Sequence, residues 1–399
     1  MSSSSSDEWE ERRYQQNRQI DRIIDDMLIN NPNLILGTSS STNKKRYCDR
    51  EREVGEQRLM SDYFVPNLTY TPELFRRRFR MQKSLFLRIV DAVTANDEYF
   101  QQRPDCTGRQ GLSPLQKFTG AMRVLAYGTA TDAVDEYLRM SSTVTRDAVI
   151  HFVEGIISCF GDTYLRRPNQ QDLQRLLYVG EQRGFPGMIE SIDCMHWEWK
   201  NCPTAWAGSC NDINVLHRSP IFSDILEGRA PNISYVVNDR QNDRAYYLTD
   251  GIYPSSTAFV KTISSPVLRK HKLFAQHQEA VRKDVERAFG VLQARFAFIR
   301  CPCLIWDRIL MGKIMMACII MHNMIVEDER DTYQNNYDPT EFLMDLPVDE
   351  DVYIHFSTDR IASLSNYMIN RDRLRNSEAH KALQKDLIEH IWAKFGTTN

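Results

Sequence analysis

Two aspartates stand where a ligand site forms in proteins with a parallel sheet. Asp193 ends the segment MIESID and Asp250 follows the segment AYYLT, and both segments have the composition of short β-strands. Ligands of open α/β sheets bind at the carboxyl ends of the strands, because the loops there diverge and leave a crevice. Both side chains are therefore candidate ligands, although each aspartate could instead serve only a turn.

Two further acids could join this pair. Asp212, in NDINVL, could equally cap a short helix. Glu286 lies in a helix predicted over residues 276–297, and at about 100° per residue it falls at the margin of the apolar stripe. A carboxylate at that margin could reach a site beside the sheet, or it could pair with Arg282 one turn earlier. The stripe consists of Val281, Val285, Ala288, Phe289, Leu292 and Phe296.

Carboxylates that converge on one crevice repel one another unless a cation lies between them. Hard oxygen ligands with few competing nitrogens favour Mg²⁺ or Mn²⁺. Two such ions, about 4 Å apart, can activate a water or a 3′-hydroxyl and stabilise the leaving oxygen of a phosphodiester. The acids therefore predict a divalent-metal site, with two ions, that is suited to phosphodiester cleavage.

A neighbouring group of residues has side chains that can bind zinc. It consists of Cys194, His196, Cys202 and Cys210, spaced C-x-H-x₅-C-x₇-C. That spacing matches none of the common zinc modules. We therefore interpret His196 as a partner that supports Asp193.

Basic residues form two candidate DNA contacts. The segment 72–93 has the apolar rhythm of a helix, with Arg76, Arg77, Arg78 and Arg80 between the apolar positions. Positive charges of this density can contact phosphates. The predicted helix 276–297 adds three basic residues that flank Glu286, and a solvated helix face is the simpler alternative at both places. These three are Arg282, Lys283 and Arg287.

The elements that must position these residues fall into four regions. Residues 1–64 begin with a serine run and alternate in charge, which predicts a disordered tail, with order beginning near Thr71. Residues 65–165 predict a helical, helix-turn-helix-like DNA-binding region, whose last helix, 143–160, could enter a DNA groove. Residues 180–326 combine short strands with two long helices, which predicts an α/β domain. Residues 327–399 predict an acidic loop and a C-terminal helix over 377–395.

Composition sets outer limits on the fold and location. The chain has 399 residues, of which 42% are hydrophobic and 26% charged, enough for an ordinary globular core. No run approaches about 18 consecutive apolar residues, so we expect no membrane-spanning helix. The polar N-terminus does not predict a secretory signal, and the nine cysteines are therefore expected to be free thiols. The net charge of −3 gives no support to nucleic-acid binding, so any such support must be local.

Several long motifs resemble the plant branch of the PIF/Harbinger transposase-derived proteins, in the family's order. They lie at residues 184–206, 211–216, 246–254, 272–296 and 314–330. The resemblance implies an RNase H-like DDE nuclease domain, a divalent-metal-dependent DNA endonuclease ancestry and a helical DNA-binding region upstream. It also implies DNA as a partner, together with a separate Myb-like DNA-binding protein.

The motifs assign each acid a position in the family pattern. Asp193 matches the acid of D-x-x-H and Asp212 that of N-D-x-x-V-L. Asp250 matches the acid of L-x-D-x-x-Y-P, and Glu286 the glutamate of E-R-x-F-G. Spacing favours Asp193, Asp250 and Glu286 as the catalytic triad, with Asp212 as an auxiliary metal ligand, although the sequence leaves the choice of three among the four open.

One part of the family pattern is missing. Only 18 residues separate Asp193 from Asp212, and Trp206-Ala207 is joined directly to Gly208-Ser209, where the family has a basic loop and two strands. Loss of these strands should expose the edge of the strand that carries Asp193. Two functions therefore remain open: a metal-dependent DNA endonuclease, which the retained acids favour, and a domesticated, catalytically inactive nuclear protein that binds DNA or chromatin partners, which the shortened interval favours.

Overall fold

The computed structural model describes residues 49–204, 215–216, 219, 231–253, 256–330 and 377–396. Asp212 and Cys210 lie outside the described residues, as do residues 1–48 of the predicted tail and residues 331–376 of the predicted acidic loop. Residues Arg50–Asn399 belong to one compact unit.

The described chain is a mixed α/β structure with far more helix than strand. The helices are α1 Arg52–Tyr63, α2 Pro72–Phe79, α3 Lys83–Asn96, α4 Pro114–Tyr127, α5 Thr131–Leu138, α6 Ser142–Tyr164, α7 Gln170–Gln182, α8 Arg269–Arg295, α9 Ala297–Arg300, α10 Arg308–Asp328 and α11 Ser377–Phe395. A 3₁₀ turn, Glu98–Phe100, follows α3. The strands are β1 Met188–Ser191, β2 Asn232–Val237, β3 Arg240–Arg244, β4 Tyr246–Thr249 and β5 Phe259–Lys261.

Order begins earlier than the expected Thr71, because α1 already packs into the core. Leu59 and Tyr63 are almost completely buried. Gly55 lies so close to α5 that a Cβ there would be 2.5 Å from the carbonyl oxygen of Leu138. The helix is otherwise polar, so its few apolar residues give too weak a rhythm to predict it from sequence.

The helical segment 72–93 is two helices rather than one. Arg80 adopts a left-handed conformation, with φ of 62°, which ends α2, and α3 begins at Lys83. The turn brings aromatic rings from both helices together: Phe79 lies 4.1 Å from Phe75 and 4.8 Å from Phe86 between ring centroids. Pattern alone misses the break, because the apolar residues on both sides of it face the same core.

The predicted succession of helices after residue 113 is present as α4, α5 and α6. Ser113 caps α4 with a reciprocal Ser113–Gln116 capping box, and Ser141 caps α6. However, α6 is the central helix of the larger core, packed against α3, α4 and α10. Its other side carries exposed residues, among them Thr143 and Arg146, and the helix-turn-helix interpretation stays a prediction.

A small parallel sheet carries β1, β4 and β5 in the order β1-β4-β5. Ser191 pairs with Leu248, and Leu248 pairs with Val260. β2 and β3 form a separate antiparallel hairpin, whose two turn residues, Asn238 and Asp239, both have positive φ, as a type I′ turn requires. Within the described residues β1 is an edge strand, as expected if the two strands beside it are missing.

Two main cores hold these layers together. The larger one joins α1 to α6 with α10 and with the end of α8. The second lies between the sheet, α8 and α11; its fully buried members include Phe185, Tyr246, Leu248, Val260, Phe274, Leu387 and Ile391. The C-terminal helix is therefore part of the layer that covers the sheet.

Helix α10 is long and apolar enough to cross a membrane, by length and composition alone. In this structure Ile314, Met321 and Ile325 are fully buried in the larger core. Contacts within the protein therefore account for the apolar residues on the buried side of α10.

A buried ionic network ties α2, α8 and the end of α10 together. Glu329 is 1% exposed and accepts two hydrogen bonds from Arg76, at 2.6 and 2.7 Å. Arg295 lies 3.7 Å from the same carboxylate and 3.1 Å from Nδ1 of His322. Burial and the charge of Arg295 lower the pKa of His322 to about 4.

Because the pKa of His322 is lowered, we expect acid to reduce the free energy of unfolding. An unfolded histidine binds a proton below about pH 6.5, whereas folded His322 binds one only near pH 4. The free energy of unfolding should therefore fall by about 1–2 kcal/mol as the pH falls from 6.5 to 4, after allowance for partial exposure. Urea unfolding of the wild type and His322→Gln across this range would measure it, with His271→Gln as control. Equal pH dependence in all three proteins would contradict the prediction.

Candidate active site at the carboxyl end of the parallel sheet

The register between β1 and β4 places Asp193 and Asp250 at the same edge. The amide of Ile192 donates to the carbonyl of Leu248 at 2.8 Å, which extends the pairing past Ser191. Asp193 and Asp250 each lie two residues beyond the paired residues Ser191 and Leu248, so both follow the carboxyl ends of neighbouring parallel strands. Each carboxylate accepts one backbone N–H, Asp193 from Cys194 at 2.9 Å and Asp250 from Gly251 at 2.5 Å.

Gln278 fixes helix α8 across the ends of the strands. Its side chain is fully buried, and Nε2 donates to the carbonyls of Thr249, at 3.1 Å, and Val260, at 3.5 Å. These carbonyls belong to β4 and β5, and Thr249 directly precedes Asp250. One side chain therefore sets the distance between α8 and the strand end that carries Asp250.

Arg282, one turn after Gln278, lies between two of the predicted catalytic acids. Its side chain is 10% exposed, with Nη1 3.8 Å from Oδ1 of Asp250 and Nη2 3.8 Å from Oε1 of Glu286. The Nε atom is buried and has no hydrogen-bond partner. The structure thus gathers Asp250 and Glu286 around one guanidinium, and Arg282, predicted as a DNA contact, is largely buried within the site.

Glu286 is more exposed than is expected for a residue at the margin of an apolar stripe. Its side chain is 52% exposed, and Ala288, a member of that stripe, is also exposed. The buried face of α8 consists of Phe274, Gln278, Val281, Arg282, Leu292 and Arg295. The middle of α8 spans between the two cores and faces solvent, a change of environment that helical periodicity does not reveal.

The other two predicted DNA contacts on α8 differ in their surroundings. Lys283 is exposed. Arg287 is also exposed and lies 3.4 Å from Asp284, which accepts a further hydrogen bond from Arg183 of the segment after α7. Local carboxylates therefore partly offset the positive charge on this face.

The chain that leaves β1 is held in place by a second strand-like segment. The indole N–H of Trp197 donates to Cys301 at 3.0 Å, and that of Trp199 donates to Ile305 at 2.7 Å. The amide of Cys303 donates to the carbonyl of Glu198 at 2.8 Å. Asp193 is thereby fixed from both sides, while His196, on the same segment, is exposed.

The donor atoms fit a hard divalent cation, but their arrangement is not a closed metal site. Among the described residues no group of three or more His, Cys, Asp and Glu side chains is placed to hold a metal ion. Asp250 and Glu286 instead lie on either side of the Arg282 guanidinium. Cys194, in the alternative zinc set, instead accepts a hydrogen bond from the hydroxyl of Tyr253 at 3.2 Å. The cysteines in the described residues are free thiols, as expected.

The four arginines predicted at α2 divide into two groups. Arg76 is engaged with the buried Glu329, which gives it a structural contact. Arg77, Arg78 and Arg80 line a cavity between α2 and α4.

The predicted alternative, a pair between Glu286 and Arg282, is present, whereas sequence reasoning missed Gln278 and the approach of Arg282 to Asp250. Gln278, Arg282 and Glu286 form a polar series at four-residue spacing on α8, in a helix whose neighbouring stripe is apolar. Residues four apart on a helix share one face. The pattern could therefore have indicated a polar stripe directed at the strand ends.

Comparison with known proteins supports the resemblance found in the motifs. A family model described as plant transposon protein matches residues 162–210 and 207–333 in two pieces. A domain family of unknown function matches residues 55–94. Protein ALP1-like from Arabidopsis thaliana is 21% identical over 302 residues, which cover 65% of this chain and 72% of that protein. No solved structure matches.

Over residues 162–333 the chain is therefore similar to plant transposon proteins. This similarity supports the resemblance to plant transposase-derived proteins that the motifs indicate.

The contacts of Gln278 predict that replacing this residue weakens the packing of α8 against the ends of the strands. Gln278→Ala removes two hydrogen bonds to strand-end carbonyls inside a buried contact, so the free energy of unfolding should fall by about 1–3 kcal/mol. Gln276→Ala, on the exposed side of the same helix, is the matched control. Urea unfolding followed by circular dichroism measures both, and an equal loss in the two variants would contradict the anchoring role.

Proposed function

We propose that the chain is a metal-dependent DNA endonuclease that descends from a transposase. The supporting observation is the placement of Asp193 and Asp250 at the ends of two neighbouring parallel strands, with Glu286 on a helix anchored across those ends. This arrangement of acids, together with the family relationship, also supports an RNase H-like domain.

Each acid has a distinct part in the proposed site. Asp193 and Asp250 hold the divalent cation, and Glu286 completes its ligand set, with Asp212 as an auxiliary ligand. Bound Mg²⁺ or Mn²⁺ would supply activation of a water or hydroxyl and stabilisation of the leaving oxygen. Arg282 neutralises the acids in the absence of metal, and its guanidinium is well placed to face a phosphate once it turns aside.

The shortened interval after Asp193 favours a second candidate function. The match to the transposon family breaks at residues 207–210, where the sequence predicts the loss of two strands, and β1 is an edge strand in the described residues. A sheet that lacks two strands holds its acids less rigidly. The second candidate is therefore a catalytically inactive protein that binds DNA or chromatin partners.

For either function we propose a nuclear location. The matches to known proteins do not support the Myb-like partner that the resemblance implies.

Metal binding in the absence of DNA tests the acid site directly. We expect Asp193→Asn, Asp250→Asn and Glu286→Gln each to weaken Mn²⁺ binding by about tenfold or more, since each removes a charged oxygen ligand. Glu279→Gln, on an exposed part of the same helix, is the matched control. Isothermal titration measures the affinity, and nicking of plasmid DNA measures activity. Unchanged affinity in the three variants would contradict the site, whereas specific metal binding without nicking would favour the inactive protein.

Arg282 should oppose metal binding, because its positive charge lies 3.8 Å from two of the proposed ligands. Replacing it by an uncharged side chain should strengthen Mn²⁺ binding about fivefold, the order expected for one unit charge a few ångströms away in a partly exposed site. Titration of Arg282→Gln against Arg282→Lys, which keeps the charge, separates this effect from a change of shape. Weaker binding by Arg282→Gln than by Arg282→Lys would contradict the prediction, since the positive charge would then support the acid site rather than oppose metal binding.

A further inference from the structure

A cavity of about 390 Å³ lies where the end of α2 meets the end of α4, away from the acidic residues of the proposed active site. It is lined by Leu74, Arg77, Arg78, Arg80 and Tyr127. The volume is within the range of pockets that bind small ligands. Three of the five lining side chains are arginines, so the cavity is strongly basic.

The arginines that line the cavity differ from Arg76 in their ion pairing. Arg76, on the same helix, is paired with Glu329. In the described part of the chain, by contrast, no carboxylate forms an ion pair with Arg77, Arg78 or Arg80. Three guanidinium groups around one cavity repel one another, and an anion bound between them would relieve that repulsion.

Contacts with two tyrosines hold Arg78 in place. Arg78 donates a hydrogen bond to the hydroxyl of Tyr63, and its guanidinium lies 3.9 Å from the centre of the Tyr70 ring. These contacts fix its orientation before any ligand binds. A fixed guanidinium loses little conformational entropy on binding, which favours recognition.

Arg80 has its position set by the backbone. Its left-handed conformation ends α2 and directs the chain away from the helix, and Nη2 lies 3.5 Å from the carbonyl oxygen of Ala126. The guanidinium lies 5.4 Å from the centre of the Tyr127 ring, and Nε is buried without a hydrogen-bond partner. A buried donor without an acceptor is costly and is stabilised when a ligand supplies one.

We propose that this cavity binds a single backbone phosphate of DNA. The planar fork of a guanidinium matches the oxygens of a phosphate, and several such groups in one cavity suit the negative charge of a phosphodiester. The half-exposed ring of Tyr127 beside Arg80 offers a surface for the attached sugar or base. The choice of DNA rests on the proposed function, whereas phosphate binding by the cavity does not.

DNA binding without metal tests this proposal separately from the acidic site. Fluorescence anisotropy of a labelled duplex is measured with the full chain in EDTA, for the wild type, Arg77→Gln, Arg80→Gln and the double variant. We expect each single variant to bind about three- to tenfold more weakly and to lower the slope of log affinity against log salt by about one. Because EDTA removes any metal, DNA binding in this assay does not depend on metal held by the acidic site, so failure of the active site and failure of the cavity are distinguishable.

Arg103→Gln is the matched control, because Arg103 is exposed, carries the same charge and lies 3.1 Å from Glu98 in a different loop. Arg78 is left unchanged because its contacts with Tyr63 and Tyr70 couple it to the fold. Equal losses in Arg103→Gln and Arg77→Gln would overturn the proposal, since the effect would then reflect net charge alone. Titration with inorganic phosphate is the second measurement: binding of phosphate that Arg80→Gln removes, combined with unchanged DNA affinity, would overturn DNA as the ligand.

Discussion

The parallel pairing of β1 with β4 is the constraint on which the candidate site depends. Asp193 and Asp250 are far apart in the chain, and only this register brings them to the same edge of the sheet. A shift by one residue would turn one of the side chains to the opposite face. The pairing is reinforced outside the strands, because the chain after β1 is fixed by Trp197 and Trp199 to the segment around Cys303.

Helix α8 connects this edge to the rest of the protein. Its first half covers the sheet through Phe274 and Gln278, whereas its end is buried in the helical core through Leu292 and the following Phe296. The acid-bearing middle of the helix spans between the two cores. This explains how a residue as exposed as Glu286 can still have a defined position, since both ends of its helix are anchored.

Arginines have three different roles in this protein, and their partners distinguish them. Arg76 and Arg295 approach a buried carboxylate and hold helices together. Arg282 lies between two acids at the strand ends, where a cation is expected. Arg77 and Arg80 face a cavity in which they have no carboxylate partner in the described residues. All of them carry the same charge, so only their contacts separate structural arginines from candidate ligand-binding ones.

The sequence by itself determined which acids are candidate ligands, the order of most helices and strands, and the resemblance to plant transposon proteins. Caps such as Ser113, alternating strands and family motifs are local signals, and they can be read without knowing which parts of the chain meet. Only the tertiary structure decided that α1 is part of the core, that residues 72–93 form two helices, and that Arg282 lies between Asp250 and Glu286. These features arise from contacts between distant segments, where burial and charge pairing depend on a neighbour that local periodicity does not specify.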